Sequence, residues 1–590
     1  METRKRLRVG LLIDSFHVPA WTYRMLERIQ HSNYAEIVLI VLNETARVER
    51  NPFAKIKDNR HSLLYILYQR LEDRLFKPVP NALETKDVKP LLDNIRVVKV
   101  KPEQKQFSDW IADHDLEEIH KSRIDVFVRL GFRILRGGIL QAARYGVWSY
   151  HHGDTQVYRG GPPGFWEVME GHPVTGSTLQ ILTEDLDNGR VLFRSFSATD
   201  YLSVNRNRNN YYWKTLAFLP RKLQQLHRAG EESFFCNLER ENGCVNFYSS
   251  RLYRTPTNGK FFGAVTRHLL RYAKFKLNDL LYDHQWILMF DLRDGISGSP
   301  WRFKQIRPSN DRFWADPHVI YKDDRYYVFF EELIYKKQKG HISVLVIDEK
   351  GHYTAPFKIL ERPYHLSYPF VFCLEGEYYM IPDTEENRTI EIYKCVEFPN
   401  QWDHHKTIMR DVRAVDSTVF FHQNKWWLFT NIREYDGASS WDELFLFYAD
   451  NPLSDHWNSH PANPIVSDVR KSRPGGRIFE LNGQIFRPSQ DCSKGYGYGI
   501  RLNRITAISE TEYREEEVGS ILPGWERNIT GTHTFNHTHR LTIIDAKLRR
   551  PRFLRRNSAV ESVPHADPLP AQLGAGTTRC VGDRFSPVAR

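Results

Sequence analysis

His151 stands in a stretch, residues 146–193 (GVWSYHHGDTQVYRGGPPGFWEVMEGHPVTGSTLQILTEDLDNGRVLF), whose residue types suit proton transfer. An imidazole takes up and returns a proton near neutral pH. Ser149 offers a hydroxyl two positions earlier, and Asp185 and Asp187 offer carboxylates. Turn-forming residues punctuate the stretch: Tyr158-Arg159-Gly160 precedes Pro162 and Pro163, then come Thr175-Gly176-Ser177-Thr178 and Leu186-Asp187-Asn188-Gly189. A second group of carboxylates, Asp316, Glu331, Glu332 and Asp416, lies far downstream.

These groups need a scaffold. In the first part of the chain, apolar runs at 7–13, 36–42, 95–100 and 126–130 alternate with helical spacing, as at 23–30. That alternation predicts an α/β, Rossmann-like domain with a parallel sheet and crossover helices. A helix is predicted over 211–228, where Leu216, Leu219, Leu223 and Leu226 share a core-facing side.

From about residue 284 the texture becomes β-rich and repetitive. Five segments, 314–332, 367–383, 415–431, 475–490 and 531–545, each run from a turn through a first strand and a polar turn to a second strand. Their starts lie about 50–60 residues apart, the length of a four-stranded blade, which predicts a five-bladed all-β propeller; the structural alternative is a sandwich. Asp316 and Asp416 hold the same place in the first and third repeats. The expected domains are thus 1–240, a linker over 241–284, a propeller over 285–546 and a disordered basic tail over 547–590.

A chain of 590 residues exceeds one hydrophobic core, and 41% hydrophobic with 13% aromatic residues excludes a largely disordered protein. The net charge of +11 owes much to arginines beyond Lys547, so no specific nucleic-acid partner is expected. Six cysteines without a CxxC pair suit a reduced, cytoplasmic chain, and no metal-ligand set stands out. The apolar run 9–13 is cut by Asp14, which reads as a buried strand rather than a signal peptide, and no apolar run is long enough to span a membrane.

The 146–193 motifs resemble the core of the formyltransferase family, which includes methionyl-tRNA, glycinamide ribonucleotide and sugar N-formyltransferases. Members read N-x-H, Y-R-G with a following proline, T-G-x-T and L-D-x-G, and this chain matches in order and spacing from His151 to Gly189. The resemblance implies 10-formyltetrahydrofolate as co-substrate, His151 as the proton-exchanging group and Asp187 as the carboxylate that orients its ring. It places Gly131, Phe132, Ile134 and Asp185 beside the folate, and Tyr158 and Arg159 on the substrate side. The family's asparagine is Ser149 here, a shorter donor; His152 is a candidate replacement.

The segment Phe313-Trp314-Ala315-Asp316-Pro317 resembles the opening blade of invertase- and arabinanase-type glycoside hydrolases, and 285–545 is similar to the N-terminal domain of plant glucosamine inositolphosphorylceramide transferases. That likeness implies a sugar site with Asp316, Asp416 and Glu331 among its residues. Hydrolysis needs an acid and a base or nucleophile, and the second repeat offers Ser367-Tyr368-Pro369 where those hydrolases carry another acid. Asp316 and Asp416 could equally close turns. Arg470, Arg473 and Arg477, with Arg487 and Gln490, could grip an anionic group of a glycan or lie on a solvated loop. The expected function is formyl transfer to an amino sugar or glycolipid precursor, joined to a glycan-binding or glycan-processing propeller. Its rivals are a glycan-active propeller enzyme and a non-catalytic binding protein of polysaccharide assembly, each with an inactive front domain.

Overall fold

The computed structural model describes residues 5–45, 60–184, 189–242 and 251–552. They divide into two compact units, one of residues 1–272 with 435–439, the other of 273–434 with 440–590.

In the first unit seven strands form one sheet: β1 (Leu7–Ile13), β2 (Ala35–Asn43), β3 (Arg96–Val100), β4 (Val126–Arg129), β5 (Val147–His151), β6 (Val174–Ile181) and β7 (Arg190–Ala198), in the order β7-β6-β5-β4-β1-β2-β3. The pairs from β3 to β5 are parallel, and β6 and β7 are antiparallel additions. Chain order reverses at β1, which lies between β2 and β4, so the carboxyl ends of β1 and β4 flank a topological switch point. One face packs Val9, Leu11, Val128 and Trp148 against Met25, Leu26 and Ile29 of α1 (Ala20–Gln30). The other packs Leu12, Leu39, Phe127 and Val147 against Leu116, Ile119 and Ile139.

The helix predicted over 211–228 is two helices, α2 (Val204–Thr215) and α3 (Phe218–Ala229). Pro220 explains the break, because proline has no N–H for a helix interior but is tolerated in a first turn. Helix α4 (Glu231–Glu241) follows. The expected linker contains a 24-residue helix, α5 (Asn258–Leu281).

The second unit holds five antiparallel sheets built on the five repeated hairpins. The hairpin at 535–551 shares its sheet with Tyr282–Leu292, so strands from both ends of the unit make one sheet. That last strand, Leu541–Pro551, carries Lys547, Arg549 and Arg550, which belong to the sheet and not to the tail that composition predicts. Buried Ala546 and Leu548 alternate with the cations and hold the strand in its sheet. The remainder of the expected tail lies outside the described residues. Among the described residues no helix is long and apolar enough to cross a membrane.

Candidate functional site

Ser149 and His151 alternate with Trp148 and Tyr150 along β5, so both point to the same side of the sheet. Across the antiparallel pair their register partners are Gln180 and Thr178; across the parallel pair Ser149 faces Arg129. Arg129, Ser149, His151, Thr178 and Gln180 therefore form one polar face at the carboxyl ends of β4 and β5. Thr178 and Gln180 are buried, and Thr178 Oγ1 and Gln180 Oε1 find no hydrogen-bond partner among the described residues.

Ser149 is buried, and the Nη1 of Arg129 donates to its Oγ at 3.1 Å. The same guanidinium donates from Nε to the Arg133 carbonyl and from Nη2 to the Phe132 carbonyl, both at 3.1 Å. Burial pulls its pKa below the usual arginine value, with Asp14 and Asp109 opposing, but a guanidinium stays cationic at neutral pH.

The turn it holds, residues 131–134, is the one that the family resemblance expects beside a folate. Phe132 has a left-handed backbone, φ 64°, and donates its N–H to Asp14 Oδ1 at 2.9 Å. A Cβ on Gly131 would lie 2.5 Å from the Asp14 nitrogen, so only glycine admits this approach. Ile134 leads into a short strand paired with Ser108.

The loop after β5 folds back onto the histidine: a Cβ on Gly153 would stand 3.2 Å from His151 Nε2 and 2.9 Å from the Tyr158 carbonyl. The Gly176 backbone packs on Asp154, which explains the glycine of the T-G-x-T segment. Tyr158 is buried among Phe165, Trp166 and Tyr253, and its hydroxyl donates to Glu170 at 3.1 Å. Arg159 pairs its backbone with Leu252. Asp185 and Asp187 lie outside the described residues.

His152 does not share the face of His151. It packs between Trp21, Tyr150 and Tyr212, with the Tyr212 ring 4.1 Å away, and burial followed by the proximity of His151 pushes its pKa down to about 3. The neutral, aromatic-packed ring belongs to the α1 side of the sheet. The donor beside Ser149 is Arg129, which sequence reasoning missed.

In the second unit, Asp316, Tyr368 and Asp416 occupy equivalent bulges in the first strands of three successive sheets, each with a left-handed backbone (φ 54°, 44° and 53°). Asp316 is buried and accepts from Thr534 Oγ1 at 2.9 Å and the Tyr368 N–H at 3.3 Å. His533 lies between Asp316 and Asp545. Burial opposes the charges, but the two carboxylates push the imidazole up to about 10 and the imidazolium holds Asp316 at about 2. These three could hold a metal ion by position. The protonated ring is an ion-paired clamp, and a metal ion bound there would have to displace its proton.

Asp416 accepts from Arg473 Nε at 2.5 Å and Gln490 Nε2 at 2.7 Å. The other arginines of the expected anion grip have their own partners. Arg470 pairs with Asp468, Arg487 with buried Glu515, and Arg477 donates to the Val371 carbonyl.

A cavity of about 690 Å³ is walled by Glu331, His365, Asp383, Arg433, Trp441 and Tyr496, among others, whereas Asp316 and Asp416 do not line it. Burial raises the Glu331 pKa, against His365 Nε2 at 3.2 Å. Burial and then the Asp416 charge push Asp383 up to about 7. Asp383 was missed in the sequence, although it ends the second strand of its repeat at the register position of Glu331 in the first.

Residues 303–550 match the family described as Glucosamine inositolphosphorylceramide transferase 1, N-terminal. The glucosamine inositolphosphorylceramide transferase 1 of Arabidopsis thaliana is 37% identical over 214 residues, covering 36% of this chain and 28% of that protein. A methionyl-tRNA formyltransferase of Prochlorococcus marinus is 27% identical over 144 residues, covering 23% of this chain and 39% of that protein. The chain thus spans only a minor part of the length of either relative. Among solved structures, a family 117 glycoside hydrolase of Zobellia galactanivorans aligns with 12% identity and a TM-score of 0.31 over 45% of this chain and 90% of that one. The chain joins an N-terminal region similar to formyltransferases to a C-terminal region similar to the N-terminal part of glucosamine inositolphosphorylceramide transferase 1.

Proposed function

We propose that this chain transfers the formyl group of 10-formyltetrahydrofolate to an amino group of a sugar or glycolipid precursor in the cytoplasm. In this reading the second unit closes as a five-bladed propeller that binds or processes the glycan. The carrying observation is the polar face of Ser149, His151, Thr178 and Gln180 beside the switch point, where doubly wound sheets place their ligands. The two buried polar atoms without partners there, Thr178 Oγ1 and Gln180 Oε1, suit a polar ligand rather than a closed core. The sheet shared by both ends of the second unit supports closure.

The folate supplies an activated formyl carbon. An amine adding to it creates an oxyanion and a positive nitrogen together, so a proton acceptor and an oxyanion donor must stand side by side. His151 accepts the proton, and Asp187, on the family resemblance, orients its ring. The turn of Gly131, Phe132 and Ile134, with Asp185, receives the folate. Tyr158, being buried against Tyr253, shapes the loop, and Arg159 follows it.

A second reading, in which the first unit only binds and the chemistry is glycan-directed, draws on Glu331 and Asp383 in the wall of the 690 Å³ cavity. The experiment that separates the two is tetrahydrofolate release from 10-formyltetrahydrofolate in the presence of amino sugars. His151→Ala should abolish release, and Asp187→Asn should lower it strongly with melting unchanged. Equal turnover by wild type and His151→Ala sinks the catalytic assignment and leaves the binding reading.

A further inference from the structure

We propose that Arg129 is the oxyanion donor of the first unit, its guanidinium doing at the Ser149 position what an asparagine amide does elsewhere in formyltransferase-like sites. The inference rests on the formyl-transfer reading.

Three features of Arg129 meet here. Arg129 and Ser149 are register partners on β4 and β5, joined side chain to side chain at 3.1 Å. A shortened side chain at 149 leaves room that a longer one from the neighbouring strand fills. Second, the guanidinium is fixed. Its bonds to the Phe132 and Arg133 carbonyls hold it in one orientation, as a preorganised donor requires. Third, it is a half-buried cation without an ion pair among the described residues. Asp14 Oδ1 is engaged by the Phe132 N–H and Asn43, and Asp109 by Arg133. A cation placed so calls for an anionic partner, because its desolvation is not offset by a contacting carboxylate.

Arginine carries five N–H groups, and the three bonds above use one from each nitrogen. The second N–H on Nη1 and on Nη2 has no acceptor among the described residues. In the reaction, the amine lone pair forms the new C–N bond and the carbonyl π pair moves to the formyl oxygen, to which the Arg129 N–H groups donate hydrogen bonds. His151 takes the proton from the resulting ammonium; the oxyanion pair then re-forms the C=O bond as the old C–N bond breaks, its electron pair going to the folate nitrogen, which takes the proton back from His151. A formamide and tetrahydrofolate leave, and Arg129 keeps its proton throughout. The neutral His152, on the other side of the sheet, takes no part.

The same bonds allow a purely structural role, in which Arg129 staples the folate turn, and the kinetics separate the two. With purified full chain, 10-formyltetrahydrofolate and D-glucosamine or a nucleotide-linked amino sugar, Arg129→Val should lower kcat about 10²–10³-fold, the cost of removing one oxyanion donor, with folate KM changed by less than about threefold. Arg129→Lys, which keeps the charge but lacks the fork, should fall between. Ser149→Asn placed in Arg129→Val should recover kcat about tenfold or more, because it restores an amide donor to a site cleared of the guanidinium. Melting curves report folding, and should Arg129→Val unfold, Arg129→Lys with and without Ser149→Asn carries the same comparison. Undiminished kcat in a folded Arg129→Val enzyme, or a loss confined to folate KM that Ser149→Asn does not rescue, overturns the donor role while leaving formyl transfer intact. A wild type that releases no tetrahydrofolate with any acceptor overturns the formyl-transfer reading, and this inference with it.

Discussion

His533 Nε2 lies 3.1 Å from Asp316 Oδ1, with both side chains almost wholly buried. The opposite ring nitrogen lies 2.7 Å from Asp545 Oδ2, so one imidazolium ties the bulge of the first repeat to the last strand of the unit. Asp545 also accepts the N–H groups of Asp316, His533 and Thr534.

This clamp makes the stability of the second unit pH-dependent. The His533 pKa is raised from its ordinary 6.5 to about 10, so its stabilisation is complete below about 6.5 and is lost as pH climbs towards 10. Asp316 is lowered from 3.8 to about 2, so its share is present above 3.8 and is lost as acid approaches 2. Thermal melts of wild type should therefore fall steadily from neutral pH to about pH 10, whereas His533→Gln should melt lower at neutral pH and vary less over that interval. Parallel alkaline slopes in the two proteins would falsify the clamp.

Much of the first sheet was legible because its strands are short apolar runs with nothing else to be. The run at 7–13 is β1 as read, and the repeat pattern located all five hairpins. What failed to show were features set by partners distant in sequence. An arginine ending the strand VFVR reads as a solvent-facing end until register places it against Ser149. The cations of 547–551 read as tail because charge density hid the alternation with Ala546 and Leu548. The grip imagined for Arg473 and Gln490 dissolved for a similar reason, since both are taken by Asp416. Asp383 left a faint signal: Glu331, Asp383 and Asn431 hold one register position in three repeats, pairing with Ala315, Ser367 and Val415.

The turn at Gly131, proposed to receive the folate, offers a steric test. A methyl group on residue 131 would meet the Asp14 nitrogen at 2.5 Å and its carboxyl carbon at 2.8 Å, neither of which can yield without moving the Phe132 N–H off Asp14. Gly131→Ala should raise the folate KM about tenfold or more, with a smaller change in kcat once folate saturates. Steady-state tetrahydrofolate release against folate concentration reads both. An unchanged KM would mean that the turn does not contact the co-substrate.

Asp383 offers the sharpest electrostatic test in the cavity wall. Burial and the Asp416 charge hold its pKa at about 7, so the carboxyl is half protonated near neutrality and can donate a hydrogen bond to a ligand only in its acid form. Infrared difference spectra against Asp383→Asn should show a protonated-carboxyl band that disappears with a midpoint near pH 7. Asp416→Asn should move that midpoint to lower pH for two reasons of the same sign: it deletes the neighbouring negative charge, and it leaves the Arg473 cation uncompensated beside Asp383. Arg473→Met should move it the other way, because the cation that lowers the Asp383 pKa is then gone. Should neither substitution shift the midpoint, Asp383 is governed by burial alone and the Asp416–Arg473 ion pair does not tune the cavity.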